Sequence, residues 1–314
     1  MKICVTGATG FVGSALVELL SSLSKYKVSA VSRKIDNKFD SAVKVINLAD
    51  IGMSSSIIDQ LQGTDVLVHA AGRAHIMLEK QEDPLNEFRR INTQGTLDLA
   101  RNASVAGVKR FIFLSSVKVN GESSEPGRPL NIFSKENPVD DYGLSKYEAE
   151  LGLRSIGKKT GMEICIIRPP LIYGHGVKGN FKSLLWLVSK GIPLPLGSVK
   201  NNRRSMVSLD NLLDLILVCM EHKSAANEVF FVSDGEDIST ASLINVLSKS
   251  LNKKNMLFPV PLTILYYLAK ILRVEQKMQR LLGTLQVDIS HAEILLGWVP
   301  KSGIAESLSR MSKQ

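Results

Sequence analysis

The chain is poor in cysteine: three among 314 residues, at Cys4, Cys165 and Cys219, each inside an apolar run. An odd number of thiols without metal-ligand spacing excludes a disulfide framework and a structural zinc site, and reads as buried free thiols in a reducing, cytoplasmic setting. No metal is expected. Aromatic residues are only 6% of the chain, with two tryptophans. The net charge of +9 therefore comes without the interleaved basic and aromatic stripe of a nucleic-acid surface, and small anions are the better partner. A long uninterrupted apolar run is also missing. The nearest approach, "MLFPVPLTILYYLAKIL" from Met256 to Leu272, is broken by Pro259 and Pro261 and carries Lys270, so no membrane span is expected. It reads as a buried or partner-facing helix. A helix lying on a membrane surface is the alternative, since Lys253, Lys254 and Arg273 flank it. The start, "MKICVTGATG", reads as a strand and a glycine turn rather than a leader. Repeats and low-complexity tracts are absent.

What is present is an alternation of short apolar runs and helical patterns. The strand candidates are 2–6, 27–32, 43–47, 65–70, 110–116, 163–169 and 228–232. Each is continuously apolar, as parallel strands covered on both faces are. Helical periodicity fills 12–23, 55–62, 84–106, 144–159, 211–221, 241–251 and 304–311. This order predicts an α/β Rossmann-type doubly wound parallel sheet of about seven strands, with a smaller, mainly helical C-terminal lobe. The expected boundaries are 1–174 plus about 206–236 for the dinucleotide-binding domain, and about 175–205 with 237–314 for the substrate lobe.

Three motifs carry chemistry. "TGATGFVG" places Gly7, Gly10 and Gly13 directly after the first strand and at the start of a helix. Glycines permit a tight turn and close approach of backbone to a pyrophosphate, and the helix N-terminus offers free N–H groups. "YGLSK" sets Tyr142 and Lys146 four apart on one helix face. An ammonium beside a phenol would lower its pKa and make a general acid/base for carbinol–ketone interconversion. "LSSVKVNG" puts Ser116 at the end of the fifth strand, where such sheets bind ligands, so its hydroxyl can hold the substrate oxygen that Tyr142 protonates.

Taken with "VHAAG", "INTQGT", "RPPLIYG", "RRSMVSLDNL" and "VDISHAEILLGWVP", these motifs resemble the extended short-chain dehydrogenase/reductase family, in particular its NAD(P)-dependent nucleotide-sugar epimerases, dehydratases and 4-keto reductases. The resemblance runs along nearly the whole chain. It implies that Gly7, Gly10, Phe11, Val12 and Gly13 cradle the pyrophosphate, that Asn47 and Leu48 border the adenine, and that Ala70, Ala71 and Gly72 lie beside the cofactor. It further implies that Lys146 also binds the nicotinamide ribose and that Pro169 and Ile172 border the nicotinamide. For substrate it implies Asn180, Arg204 and Arg280 at the nucleotide diphosphate, Pro195 and Leu196 at the nucleobase, and Lys118 beside the sugar. Family members commonly pair the helices of 84–106 and 142–160 into an intermolecular bundle. A homodimer is therefore expected, with Ile91, Leu97, Leu99 and Leu153 as apolar contacts.

Family dehydratases follow the catalytic hydroxyl with an acidic pair; here Ser116 is followed by Val117 and Lys118, which argues against dehydration. Ser32 and Arg33 stand at the second strand end, 19 residues beyond Gly13, where an acid would grip the ribose of NAD. A hydroxyl and a guanidinium suit a 2′-phosphate, so NADP(H) is preferred and NAD(H) is the alternative. NADPH is the currency of net reduction. The late segments resemble bacterial surface-polysaccharide enzymes. The expected activity is reduction of the 4-keto group of a nucleotide-linked, UDP-type deoxyaminosugar. The alternative is a UDP-hexose 4-epimerase, acting on UDP-glucose or UDP-N-acetylglucosamine with tightly bound NAD. A non-catalytic dinucleotide sensor is a third reading, against which Tyr142 and Lys146 stand.

Overall fold

The structure is a computed structural model, and it describes residues 1–33, 39–48, 56–73 and 83–311, with the side chains of 276 and 277 excepted. Seven parallel strands form its centre: β1 (Lys2–Thr6), β2 (Lys27–Ser32), β3 (Lys44–Asn47), β4 (Val66–His69), β5 (Arg110–Leu114), β6 (Glu163–Arg168) and, later in the chain, β9 (Val229–Phe231). They are ordered β3-β2-β1-β4-β5-β6-β9. The order reverses between β1 and β4, which leaves a crevice at the strand C-terminal ends. Every residue of β4 and β5 is buried, as expected for strands with helices on both faces.

The helices are α1 (Phe11–Ser21), α2 (Ile57–Leu61), α3 (Pro84–Phe88), α4 (Gly95–Val105), α5 (Asp141–Thr160), α6 (Gly179–Ser189), α7 (Leu209–Glu221), α8 (Thr240–Ser250), α9 (Leu262–Ile271), α10 (Glu275–Leu282), α11 (Ser290–Leu296) and α12 (Ile304–Met311). The stretch expected to be one helix over 84–106 contains a π-helical turn, Arg89–Gln94, between α3 and α4. α5 starts where it does because the Asp140 carboxylate caps the Gly143 N–H at 2.7 Å, and it stops at Gly161, whose φ of 78° suits a residue without Cβ.

A second sheet was not foreseen from the sequence. β7 (Leu171–Tyr173), β8 (Arg204–Ser208) and β10 (Asp237–Ile238) join in the order β10-β8-β7. These segments have two to five residues, too short for periodicity to reveal. Beside it lies an apolar cluster separate from those flanking the main sheet, built from Phe181, Leu184, Leu247, Leu265 and Leu308 among others. Asp234 ties the pieces together: it accepts from the Tyr173 hydroxyl at 2.6 Å and from Asn211 Nδ2 at 2.7 Å.

Candidate active site

The glycine turn is shaped by contacts that only hydrogen atoms could occupy. Gly7 has φ of 69°, and a Cβ there would lie 2.6 Å from the Ala71 amide nitrogen. A Cβ on Gly13 would lie 2.2 Å from the Gly7 carbonyl oxygen. Gly10 is the N-cap of α1 and offers no side-chain cap, and no acid occupies the first helical turn. The end of α1 therefore presents backbone N–H groups and the positive end of its dipole to the crevice, a cradle that fits a pyrophosphate.

Tyr142 stands half-buried at the start of α5, with the Ser116 side chain close enough to pull its pKa down. Lys146 lies one turn on and buried. Its Nζ donates to the Leu114 carbonyl at 2.9 Å and sits 4.4 Å from the centre of the Phe113 ring. The expectation that the ammonium lowers the phenol's pKa is not met here. Burial, with the Asp140 charge second, pushes Tyr142 up to about 12, against the opposing pull of the Ser116 side chain. Lys146 is pushed down to about 8 by burial, with Glu150 opposing. The reason is geometric: the lysine reaches across to the end of β5 rather than back to the phenol. It does approach the end of β4, where a Cβ on Gly72 would lie 3.1 Å from its Nζ.

Around this pair lies a scaffold that sequence reading passed over. Arg168, 1% exposed, donates from Nε to Glu150 at 3.0 Å, from Nη1 to Asn120 at 2.9 Å and from Nη2 to Glu136 at 3.2 Å. The Ser115 hydroxyl donates to the same Glu150 at 2.5 Å. The ends of β5 and β6 are thus bolted to α5 one turn beyond Lys146. Asn92, buried in the π turn, donates to the Arg73 carbonyl at 3.0 Å and accepts the Arg73 N–H at 2.8 Å, while also bonding Ser145 at 3.1 Å. Its place in "INTQGT" was the available signal.

Beyond Tyr142 the charges are concentrated. Lys118 pairs with Glu122 at 2.7 Å and with Asp140. Arg280 pairs with the same Glu122 at 2.9 Å, and its Nε is buried without a partner. Arg204 opens β8 and donates to the Gly283 carbonyl at 3.2 Å. Burial lowers its pKa, with Glu122 opposing and Arg280 adding to the fall. Three cations converge here on one pair of acids, an arrangement able to exchange those carboxylates for a diphosphate.

The family model described as "NAD dependent epimerase/dehydratase family" matches residues 3–233. A Vibrio cholerae protein named UDP-glucose 4-epimerase is 47% identical over 312 residues, which is 99% of this chain and 94% of that one. This chain belongs to the NAD-dependent epimerase/dehydratase family. An Escherichia coli O157:H7 member, named N-acetyl-alpha-D-glucosaminyl-diphospho-ditrans,octacis-undecaprenol 4-epimerase, is 28% identical over 84% of this chain and 77% of its own length. A UDP-glucose 4-epimerase structure from Thermotoga maritima shares the fold at TM-score 0.79 and 22% identity, over 100% of this chain and 98% of that one.

The expected residues of this epimerase/dehydratase family member do not all meet. Tyr142, Ser116, Lys146 and Gly72 gather at the ends of β4 and β5, and Lys118, Arg204 and Arg280 gather beside them. Ser32 is buried at the end of β2 opposite Asn47, and its carbonyl accepts the Leu48 N–H at 2.9 Å. Arg33 is exposed, and Lys34 to Lys38, with Asp36, lie outside the described residues. Leu196 packs into the apolar cluster beside the small sheet, so its side chain is structural there. Asn180 is exposed near the start of α6. A cleft of about 840 Å³ runs from Gly10 and Phe11 along α1 to Arg310. Neither Tyr142 nor Lys146 lines it, so it is not the catalytic crevice.

Proposed function

We propose that this chain interconverts C4 epimers of a UDP-hexose while holding its NAD throughout. The observation that carries this reading is the 47% identity, over 99% of the chain, to the Vibrio cholerae protein named UDP-glucose 4-epimerase. The site residues suit the task. Tyr142 takes the C4 hydroxyl proton as that carbon gives up its hydride, and returns it when the hydride arrives on the other face of the ketone. Ser116 orients the oxygen. When bound, the oxidised dinucleotide supplies the hydride acceptor and a positive charge beside a phenol that otherwise keeps its proton. Gly7, Gly10 and Gly13 with the α1 N-terminus hold the pyrophosphate. Asn47 and Leu48 border the adenine, and Ala70, Ala71, Pro169 and Ile172 line the remaining cofactor path. Lys118, Arg204 and Arg280 take the substrate diphosphate, with Asn180 and Pro195 on the side of the 175–205 and 237–314 lobe.

Ser32 and Arg33 favour a second reading, NADPH-dependent reduction of a UDP-linked 4-keto deoxyaminosugar. One experiment separates the two. Purified protein is given UDP-glucose with no added cofactor, and the products are followed by NMR while the dinucleotide released on denaturation is weighed. Conversion to UDP-galactose with NAD released supports epimerisation. Failure to convert UDP-glucose or UDP-N-acetylglucosamine, with stoichiometric NADPH consumption on a UDP-4-keto sugar, establishes the reductase instead. In that case Arg33→Ala weakens NADPH by about 10- to 100-fold and leaves NADH unchanged.

A further inference from the structure

The segment 256–272 is covered only in part: Leu257 and Val260 pack against the apolar cluster beside the small sheet, and most of the rest is exposed. In α9 only Leu265 and Ala269 face the protein. The opposite face carries Ile264, Tyr267 and Ile271, spaced i, i+3, i+7 and 48%, 66% and 59% exposed. Phe258, Tyr266 and Leu272 extend the same apolar surface. Nine of the eighteen exposed large hydrophobic side chains among the described residues fall in these seventeen positions. A helix that is apolar nearly all round is ordinarily covered, and a clustered patch of this kind marks an interaction surface.

The charge around it says what covers it. From Ile238 to Val274 the sequence has no aspartate or glutamate, yet it has Lys249, Lys253, Lys254, Lys270 and Arg273. Lys253, Lys254, Lys270 and Arg273 are exposed at the rim of the patch. A second copy placed face to face would bring two basic rims together with no acid from 238–274 to offset them. An anionic lipid surface instead takes apolar side chains below the headgroups and basic ones at their level, with tyrosines such as Tyr266 and Tyr267 suited to the boundary. Ten helical residues span only about 15 Å, and no helix among the described residues is long and apolar enough to cross a membrane, so α9 would lie in the plane of the surface.

We infer that α9 and its basic rim dock this protein on an anionic membrane surface. Docking there sets the substrate lobe toward the lipid. The Phe258 N–H donates to the Leu194 carbonyl at 3.1 Å, which ties the patch to the segment of Pro195. α9 also packs on α10, which carries Arg280. The inference stands apart from the choice between epimerase and reductase.

Flotation of the full chain with phosphatidylcholine vesicles, with and without phosphatidylglycerol, tests it at low and high salt. Wild type should float with the anionic vesicles only, and less so as salt rises. Each cation near the surface is worth about fivefold in binding, so Lys253→Ala with Lys254→Ala should weaken it by about 25-fold. Tyr267→Glu with Ile271→Glu should abolish it while circular dichroism and cofactor binding stay as in wild type. Absence of flotation, equal flotation with neutral vesicles, or unchanged flotation in both variants would overturn the inference. A halved solution mass in the Tyr267→Glu, Ile271→Glu variant, with no lipid binding by wild type, would give the face to a second copy instead.

Discussion

At the scale of residues, burial rather than pairing sets the proton chemistry. Tyr142 keeps its proton because its surroundings disfavour the phenolate, which suits the proposed protonation of an alkoxide, while the proposed uptake of a proton needs the positive charge of a bound oxidised dinucleotide. Tyr142→Phe should retain the fold and lower turnover by about 100-fold or more, the usual worth of a positioned acid/base; Tyr266→Phe, on the exposed side of α9, is the control and should leave turnover alone. Equal losses in the two would remove Tyr142 from catalysis. His69 shows the same physics without a catalytic role. It is held between the Thr6 hydroxyl at 2.6 Å and the Thr96 hydroxyl at 3.0 Å, and burial, with Lys146 adding to it, lowers its pKa to about 3. Between that value and the ordinary 6.5 the unfolded chain binds a proton that the folded chain refuses. Stability on this account is full above pH 6.5 and falls as pH drops toward 3. Urea unfolding at pH 7 and pH 4.5 should show a larger acid loss in wild type than in His69→Gln. The same loss in both would assign the acid sensitivity to other groups.

At the scale of elements, the glycine turn and the α3–α4 stretch use glycine for opposite reasons. Gly13→Ala drives a methyl group toward the Gly7 carbonyl, which is backbone and cannot rotate away. It should cost about 1–3 kcal/mol and displace the turn proposed to meet the pyrophosphate, so dinucleotide affinity should fall with stability. Gly95 has φ of −58°, and a Cβ there would meet only the Arg90 carbonyl at 3.5 Å, an ordinary contact. Gly95→Ala should therefore be neutral or stabilising by up to about 1 kcal/mol. Thermal unfolding and dinucleotide titration of the two variants check both statements; equal destabilisation would mean that Cβ crowding does not decide these positions.

At the scale of the whole molecule, the homodimer expected from the α4–α5 pair stays a proposal, but its contacts must change. Leu99 and Leu153 are fully buried within one chain, and Leu97 packs on Gly152, where a Cβ would lie 2.4 Å from its Cδ2. Leu99 and Leu153 are therefore not free to meet a partner, while Ile91 and Leu97 are only half-buried. Leu151 is 51% exposed on α5 and faces outward instead. We propose that it lies in the dimer contact, and light scattering should give twice the 34.4 kDa chain mass for wild type and a single chain mass for Leu151→Glu. A monomeric wild type would refute this.

The amino-acid sequence by itself determined the seven central strands, the glycine turn and the Tyr142–Lys146–Ser116 set, because each is local: an apolar run, a turn that needs glycine, a helical spacing of four. It could not determine what depends on which surfaces meet. The three short strands of the second sheet exist only because distant segments pair. The Arg168–Glu150 bolt joins positions 18 apart in sequence through a fold that no spacing predicts. Lys146 turns to the Leu114 carbonyl rather than the phenol because packing puts that carbonyl within its reach. Within the apolar run of 256–272 only 262–271 forms the expected helix, and its exposure was not legible. An apolar helix and its burial are separate facts, since only the placement of neighbouring elements decides whether anything in the chain covers it, and within α9 Leu265 and Ala269 alone are buried.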